Sequence, residues 1–113
     1  MDKTLHRLDE YLKLLEDHGL VSSHSVAPEG GNGLIRYISY NSKDIEQDTL
    51  FVCKGSHFSV EYLKAAIEKG AICYVSETKY DLMGTAKDVP FIIVNDIRKT
   101  MALIADFYYN HIW

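Results

Sequence analysis

The sequence predicts a small α/β domain whose mostly parallel sheet is flanked by helices. From residue 49 onward, short apolar segments and helical patterns follow one another in the order strand, helix, strand, strand, helix. This order favours parallel pairing with right-handed crossovers, in two or three layers. A length of 113 residues and a hydrophobic fraction of 47% suit one packed core.

The first 33 residues are expected to form a helix and a loop that belong to this same domain. Leucines recur at three- and four-residue steps over residues 3–18: Leu5, Leu8, Leu12 and Leu15. This spacing predicts an amphipathic helix, and Gly19 is well placed to end it. Residues 21–33 are rich in serine, glycine and proline, which predicts a loop.

Residues 34–113 are expected to supply the sheet and the other helices. Strand composition marks four segments, at residues 34–40, 49–54, 71–76 and 91–94. A helix with Ser59 as its N-cap is expected to end near Lys69, with Gly70 as its C-cap. Asn95 or Asp96 is expected to cap a last helix that reaches about residue 110.

Charge and hydropathy argue against several classes of partner. The net charge is −4, and acidic and basic residues are mixed along the chain. The sequence therefore shows no basic face of the kind that binds nucleic acid. No apolar stretch approaches the roughly 20 residues that cross a bilayer. The acid-containing N-terminus does not resemble a signal peptide, which predicts a cytoplasmic protein without membrane contact.

The sequence offers little for metal binding or catalysis. Its five histidines are scattered without the spacing of metal ligands: His6, His18, His24, His57 and His111. Cys53 and Cys73 lie in apolar segments, which favours buried structural thiols over a disulfide or metal pair. No nucleophile elbow surrounds a serine or cysteine, so we expect no catalytic residue and no metal ligand.

Two loops that follow predicted strands are the best candidates for a binding site. One is Tyr40-Asn41-Ser42-Lys43, and the other is Lys54-Gly55-Ser56-His57-Phe58, which precedes a helix. Ligands of open α/β sheets collect at strand carboxyl ends, and a helix N-terminus favours phosphate. An ordinary polar turn would have the same composition, so the residues alone leave both interpretations open.

Six segments of the chain carry a family resemblance. In chain order they are Asn41-Ser42-Lys43, Thr49-Leu50-Phe51-Val52, Lys54-Gly55, Lys69-Gly70-Ala71, Ile93-Val94-Asn95-Asp96-Ile97-Arg98 and Ile104-Ala105-Asp106-Phe107-Tyr108. Their order and spacing resemble the N-terminal domain of the Mur ligases of peptidoglycan biosynthesis. The MurE type of Gram-positive Firmicutes is the most similar, and the MurF type is the near alternative.

The resemblance implies a docking domain for the UDP end of UDP-N-acetylmuramoyl-L-alanyl-D-glutamate. Ser42 corresponds to the substrate-contacting serine, and Tyr40 to the position that lines the uracil site. The second contact loop corresponds to Ser56, His57 and Phe58, and Asn41, Lys54 and Gly55 complete the expected substrate-binding set. ATP and Mg²⁺ belong to a central domain, and a C-terminal domain selects the amino acid. Neither domain is represented in these 113 residues, so we expect this fragment alone to need no cofactor and to be inactive.

The sequence departs from the family pattern in the first loop. Asn41 and Lys43 stand where the family has an acid and an arginine, so an ion pair that stiffens the turn is not expected. The chain ends in aromatic residues, at a point where the family's phosphate loop would soon follow. We therefore expect the boundary to be a cut in a longer protein, with a stand-alone interaction module as the alternative.

Overall fold

The computed structural model describes residues 6–25, 33–54, 59–80 and 89–109. These residues form a five-stranded sheet with helices on both faces, together with a separate two-stranded sheet. In chain order the elements are β1 (His6–Arg7), α1 (Leu8–Asp17), β2 (Val21–His24), β3 (Leu34–Ile35), β4 (Tyr37–Ser39), β5 (Thr49–Val52), α2 (Val60–Lys69), β6 (Ala71–Ser76), β7 (Phe91–Val94) and α3 (Ile97–Tyr109).

The larger sheet has the strand order β2-β7-β6-β5-β4. Strands β4 to β7 are parallel, and β2 joins the far edge antiparallel to β7. The prediction of a mostly parallel sheet flanked by helices is therefore confirmed. Because β4 and β5 are parallel neighbours, with Ser39 opposite Phe51, the segments that follow them leave the sheet at the same edge.

Side chains of the sheet divide between two cores. Leu50 and Val52 of β5 face the layer of α1 and α3, whereas Phe51 and Cys53 face α2. This alternation follows from the two-residue period of a strand, and it makes the domain three-layered. Both cysteines are buried free thiols, as predicted, and burial raises their pKa values.

The prediction of a loop over residues 21–33 is wrong for its first part. Val21–His24 forms β2, which pairs with β7 across Val21 and Val94 and across His24 and Ile92. Three of the four residues of β2 are exposed, so this edge strand lacks the apolar alternation by which strands are recognised. Its stability comes from backbone pairing with a buried neighbour, which composition does not reveal.

The predicted strand over residues 34–40 is divided into two. Leu34–Ile35 pairs with β1 in the small sheet, and Tyr37–Ser39 joins the large one. The division falls at Arg36, whose N–H donates to the Asp48 carbonyl at 2.9 Å. The first helix begins at Leu8 rather than near residue 3, and Leu5 lies outside the described residues.

The other two helices agree with prediction. Helix α2 has Ser59 as its N-cap and Gly70 as its C-cap. At the start of α3 the Asp96 carboxylate accepts a hydrogen bond from the Lys99 N–H at 3.0 Å, so Asp96 is the one of the two predicted residues that caps the helix. Asn95 instead donates its side-chain amide to the Gly19 carbonyl.

Candidate functional site

Residues from the two predicted loops meet at the carboxyl edge of β4 and β5. The Lys54 ammonium lies 5.4 Å from the centre of the Tyr40 ring, within the range of a cation–π contact. Tyr40 remains 56% exposed, so its ring is accessible to a ligand. The structure therefore places an aromatic surface and a positive charge side by side where the sheet topology favours ligands.

The turn after β4 is closed by its own hydrogen bonds. The Asn41 side-chain oxygen accepts from the Lys43 N–H at 2.9 Å, and the Asn41 carbonyl accepts from the Asp44 N–H at 2.9 Å. The Asn41 N–H donates to the Ser39 hydroxyl at 3.1 Å. Asparagine at position 41 thus stiffens the turn without an ion pair, because its amide makes a local Asx-type bond.

Ser42 is half-buried in this turn, and its main chain is held from a distant part of the sequence. Its carbonyl accepts a hydrogen bond from the Lys69 ammonium, at the end of α2, at 3.1 Å. None of the bonds that close the turn uses the Ser42 hydroxyl. A serine whose backbone is fixed and whose hydroxyl is not consumed by the turn suits ligand binding.

Gly55, Ser56, His57 and Phe58 lie outside the described residues. Their contribution to a site stays a prediction. Lys54 immediately before them is exposed, and α2 begins shortly after them at Val60.

A cleft of about 340 Å³ lies beside Tyr40 and Asn41, between β4 and α3. Its apolar floor includes Ile38, Val52 and Ile104, and its rim includes Tyr37, Asp44 and Tyr109. The sequence does not predict the side of the cleft that α3 supplies, because no local sequence pattern indicates that α3 packs beside β4. The apolar periodicity of α3 shows only that one of its faces is buried.

Two polar residues of the rim are bonded to each other. The Tyr37 hydroxyl donates to the Asp44 carboxylate at 2.8 Å. This hydrogen bond raises the pKa of Tyr37 to about 12, with a smaller contribution from desolvation. At neutral pH the rim therefore presents a neutral phenol at Tyr37, with its hydroxyl bonded to Asp44.

The described part of the chain holds neither a metal-ligand cluster nor a membrane-spanning helix. Within it, no three histidine, cysteine or acidic residues come together as a possible metal site. No helix among these residues is both long and apolar enough to span a bilayer.

Comparison with known proteins shows which family this sequence is related to. No family model matches the sequence. The UDP-N-acetylmuramoyl-L-alanyl-D-glutamate--L-lysine ligase of Streptococcus agalactiae is 40% identical over 109 residues, covering 92% of this chain. The UDP-N-acetylmuramyl-tripeptide synthetase of Lactobacillus acidophilus is 36% identical over 103 residues, covering 91% of this chain. The chain belongs to the Mur ligase family.

The match to these Mur ligases concerns one portion of a longer protein. The chain spans 22% of the streptococcal relative and 19% of the Lactobacillus relative. Its fold is similar to part of MurF from Acinetobacter baumannii, with a TM-score of 0.67 over 95% of this chain and 14% sequence identity. At this identity the solved structure supports the α/β fold alone.

Proposed function

We propose that this chain is the substrate-docking part of a MurE-type ligase and binds the UDP end of UDP-N-acetylmuramoyl-L-alanyl-D-glutamate. The observation that carries the proposal is the exposed Tyr40 ring beside the Lys54 ammonium, 5.4 Å from it. Ser42 stands two residues further along the same edge with its hydroxyl unused by the turn. An aromatic face, a cation and a hydroxyl are the groups that a nucleoside diphosphate requires.

Each of these residues has a distinct role in the proposal. The Tyr40 ring lies against the base, since stacking on an aromatic side chain is worth about 1–3 kcal/mol per base. Lys54 offsets the charge of the diphosphate, and the Ser42 hydroxyl makes a hydrogen bond to the nucleotide. Gly55, Ser56, His57 and Phe58 are proposed to add further contacts, as the family resemblance implies.

The chemistry of ligation is proposed for the rest of the longer enzyme. The phosphate-loop pattern Gly-x-x-Gly-Lys-Ser/Thr is absent from these 113 residues. ATP and Mg²⁺ are therefore assigned to a central domain, and no reaction step is assigned to this chain. The streptococcal relatives are named for L-lysine, which makes lysine the first amino acid to test. We propose the cytoplasm as the site of action.

Similarity to MurE-type proteins at 36–40% identity supports this type over MurF, whose 14% identity concerns the fold alone. A non-enzymatic interaction module is the remaining alternative. An interaction module would not require Tyr40, Lys54 and Ser42 to contact a nucleotide, so nucleotide binding separates the two alternatives.

Calorimetric titration of the chain with UDP tests the proposal. Binding is expected to be weak and to weaken further with salt, because screening reduces the attraction between Lys54 and the diphosphate. Ser42→Ala is expected to raise the dissociation constant about three- to tenfold, as loss of one hydrogen bond implies. Ser22→Ala, in β2 at the opposite edge of the sheet, is the matched control and should leave it unchanged. Equal affinities for both variants, or no heat of binding at millimolar UDP, would contradict the proposal.

A further inference from the structure

The segment between β4 and β5, which carries the Ser42 turn, packs against the end of helix α2. A Cβ atom on Gly70 would lie 2.8 Å from the Glu46 carbonyl oxygen, so only glycine permits this approach. The Asp48 N–H donates to the Gly70 carbonyl at 3.0 Å. Lys69, the residue before Gly70, donates a hydrogen bond from its ammonium group to the Ser42 carbonyl at 3.1 Å.

The Lys69 bond acts on the peptide unit between Ser42 and Lys43. The carbonyl of that unit accepts from Lys69, and its N–H donates to the Asn41 side chain at 2.9 Å. Both polar groups of one rigid, planar unit are thereby fixed. The ψ angle of Ser42 is set as a result.

The peptide unit on the other side of Ser42 is also held. Its carbonyl, from Asn41, accepts from the Asp44 N–H at 2.9 Å and from the Ser39 hydroxyl at 3.2 Å. With both flanking units held, the direction of the Ser42 Cα–Cβ bond is determined. Among these bonds, the one from Lys69 spans the largest separation in sequence, 27 residues.

We propose that Lys69 is a positioning residue that aims the Ser42 hydroxyl at the nucleotide. This inference rests on the proposed function, in which Ser42 contacts UDP. Helix α2 thereby holds the Ser42 turn from its C-terminal end. Lys69 does not touch the nucleotide in this arrangement, and its effect passes through Ser42.

A double-mutant cycle on UDP affinity tests the proposal. Lys69→Met is expected to raise the dissociation constant about threefold, because an exposed charged hydrogen bond is worth a fraction of a buried one. In a Ser42→Ala background, Lys69→Met is expected to have no further effect, since coupled residues are not additive. Lys69→Arg, which keeps a donor and the charge, should restore most of the affinity.

Two controls separate positioning from charge and from stability. Lys64→Met removes the same charge from the same helix and should leave affinity unchanged. Raised salt should not abolish the Lys69→Met effect, because screening suppresses long-range attraction more than a direct hydrogen bond. The thermal midpoint of Lys69→Met should stay near that of the parent chain, as expected for an exposed side chain.

The outcomes are distinguishable. If Ser42→Ala weakens UDP binding and Lys69→Met does not, the positioning role is wrong and the docking function stands. If Lys69→Met weakens binding equally with and without Ser42, the effect does not pass through Ser42 and the inference is overturned. If neither Ser42→Ala nor Lys69→Met changes UDP affinity, both the inference and the proposed function fail.

Discussion

The Ser42 turn and the Tyr40–Lys54 pair are neighbours at one edge of the sheet, but they are held in different ways. The turn is fixed by short hydrogen bonds that involve Asn41 and Lys69, and the segment just after it packs closely against Gly70 at Glu46. The pair is exposed, and its two members are joined at 5.4 Å by a contact worth about 0.5–1 kcal/mol at the surface.

The difference suggests that the turn and the pair have separate roles in binding. A turn whose peptide units are already fixed loses little entropy when a ligand binds, so it can set position and orientation. An exposed ring and a lysine can adjust to the ligand, but ordering them costs binding energy. Loss of the close backbone approach at Gly70 should therefore affect folding, whereas mutations of the exposed Lys69 or of the Tyr40–Lys54 pair should affect binding.

Gly70→Ala should have the largest effect on stability. Gly70 has a φ of +135°, and an added Cβ would meet the backbone of Glu46 at 2.8 Å. Backbone strain and this clash together should lower the free energy of unfolding by about 3 kcal/mol. Urea denaturation measures the loss.

Gly19→Ala is the matched control for Gly70. Gly19 also has a positive φ, of +70°, but nothing lies within 4 Å of an added Cβ. Only the left-handed backbone cost of about 1 kcal/mol should appear. Equal losses for the two variants would show that the approach of α2 to the turn contributes nothing.

Tyr40→Ala should change binding much more than stability. Loss of base stacking is expected to weaken UDP binding about five- to tenfold, and the free energy of unfolding should fall by no more than about 1 kcal/mol, the worth of the surface contact with Lys54. Tyr62→Ala, at a tyrosine that is 49% exposed on α2, controls for removal of a surface ring. A Tyr40 variant that loses stability but keeps its UDP affinity would contradict the assignment of Tyr40 to ligand binding.

The smallest effect concerns the bond between Tyr37 and Asp44 at the rim of the cleft. Asp44→Asn removes the carboxylate acceptor, so the pKa of Tyr37 should fall from about 12 toward its ordinary value of 10. NMR titration of the Tyr37 ring signals measures this pKa. The raised pKa favours the neutral phenol in the folded chain, so its stabilising contribution is complete below pH 10 and is lost as pH rises toward about 12. A Tyr37 pKa that does not respond to Asp44→Asn would exclude this bond as the cause.

Most of the fold could be predicted because local signals agreed with the tertiary structure. Strands β6 and β7 were recognisable from apolar composition, and Gly70 marked the end of α2. Strand β2 was missed because its stability comes from pairing with β7 rather than from its own residues.

The candidate site was predictable only where topology brought its parts together. Parallel neighbours place Tyr40 and Lys54 at one edge, so their proximity followed from the strand order. The bond from Lys69 to Ser42 and the wall supplied by α3 join residues distant in sequence. Neither leaves a local pattern, because the contacts depend on how α2 and α3 pack on the sheet.

An NMR titration of the chain with UDP tests the central claim most directly. Docking of UDP at the edge of β4 and β5 predicts amide shifts concentrated at Tyr40, Asn41, Ser42, Lys43 and Lys54, with β2 at the far edge of the sheet unaffected. It also predicts that inorganic phosphate reproduces only the part of the pattern nearest Lys54. No shifts at millimolar UDP, or shifts centred on β2, would contradict it.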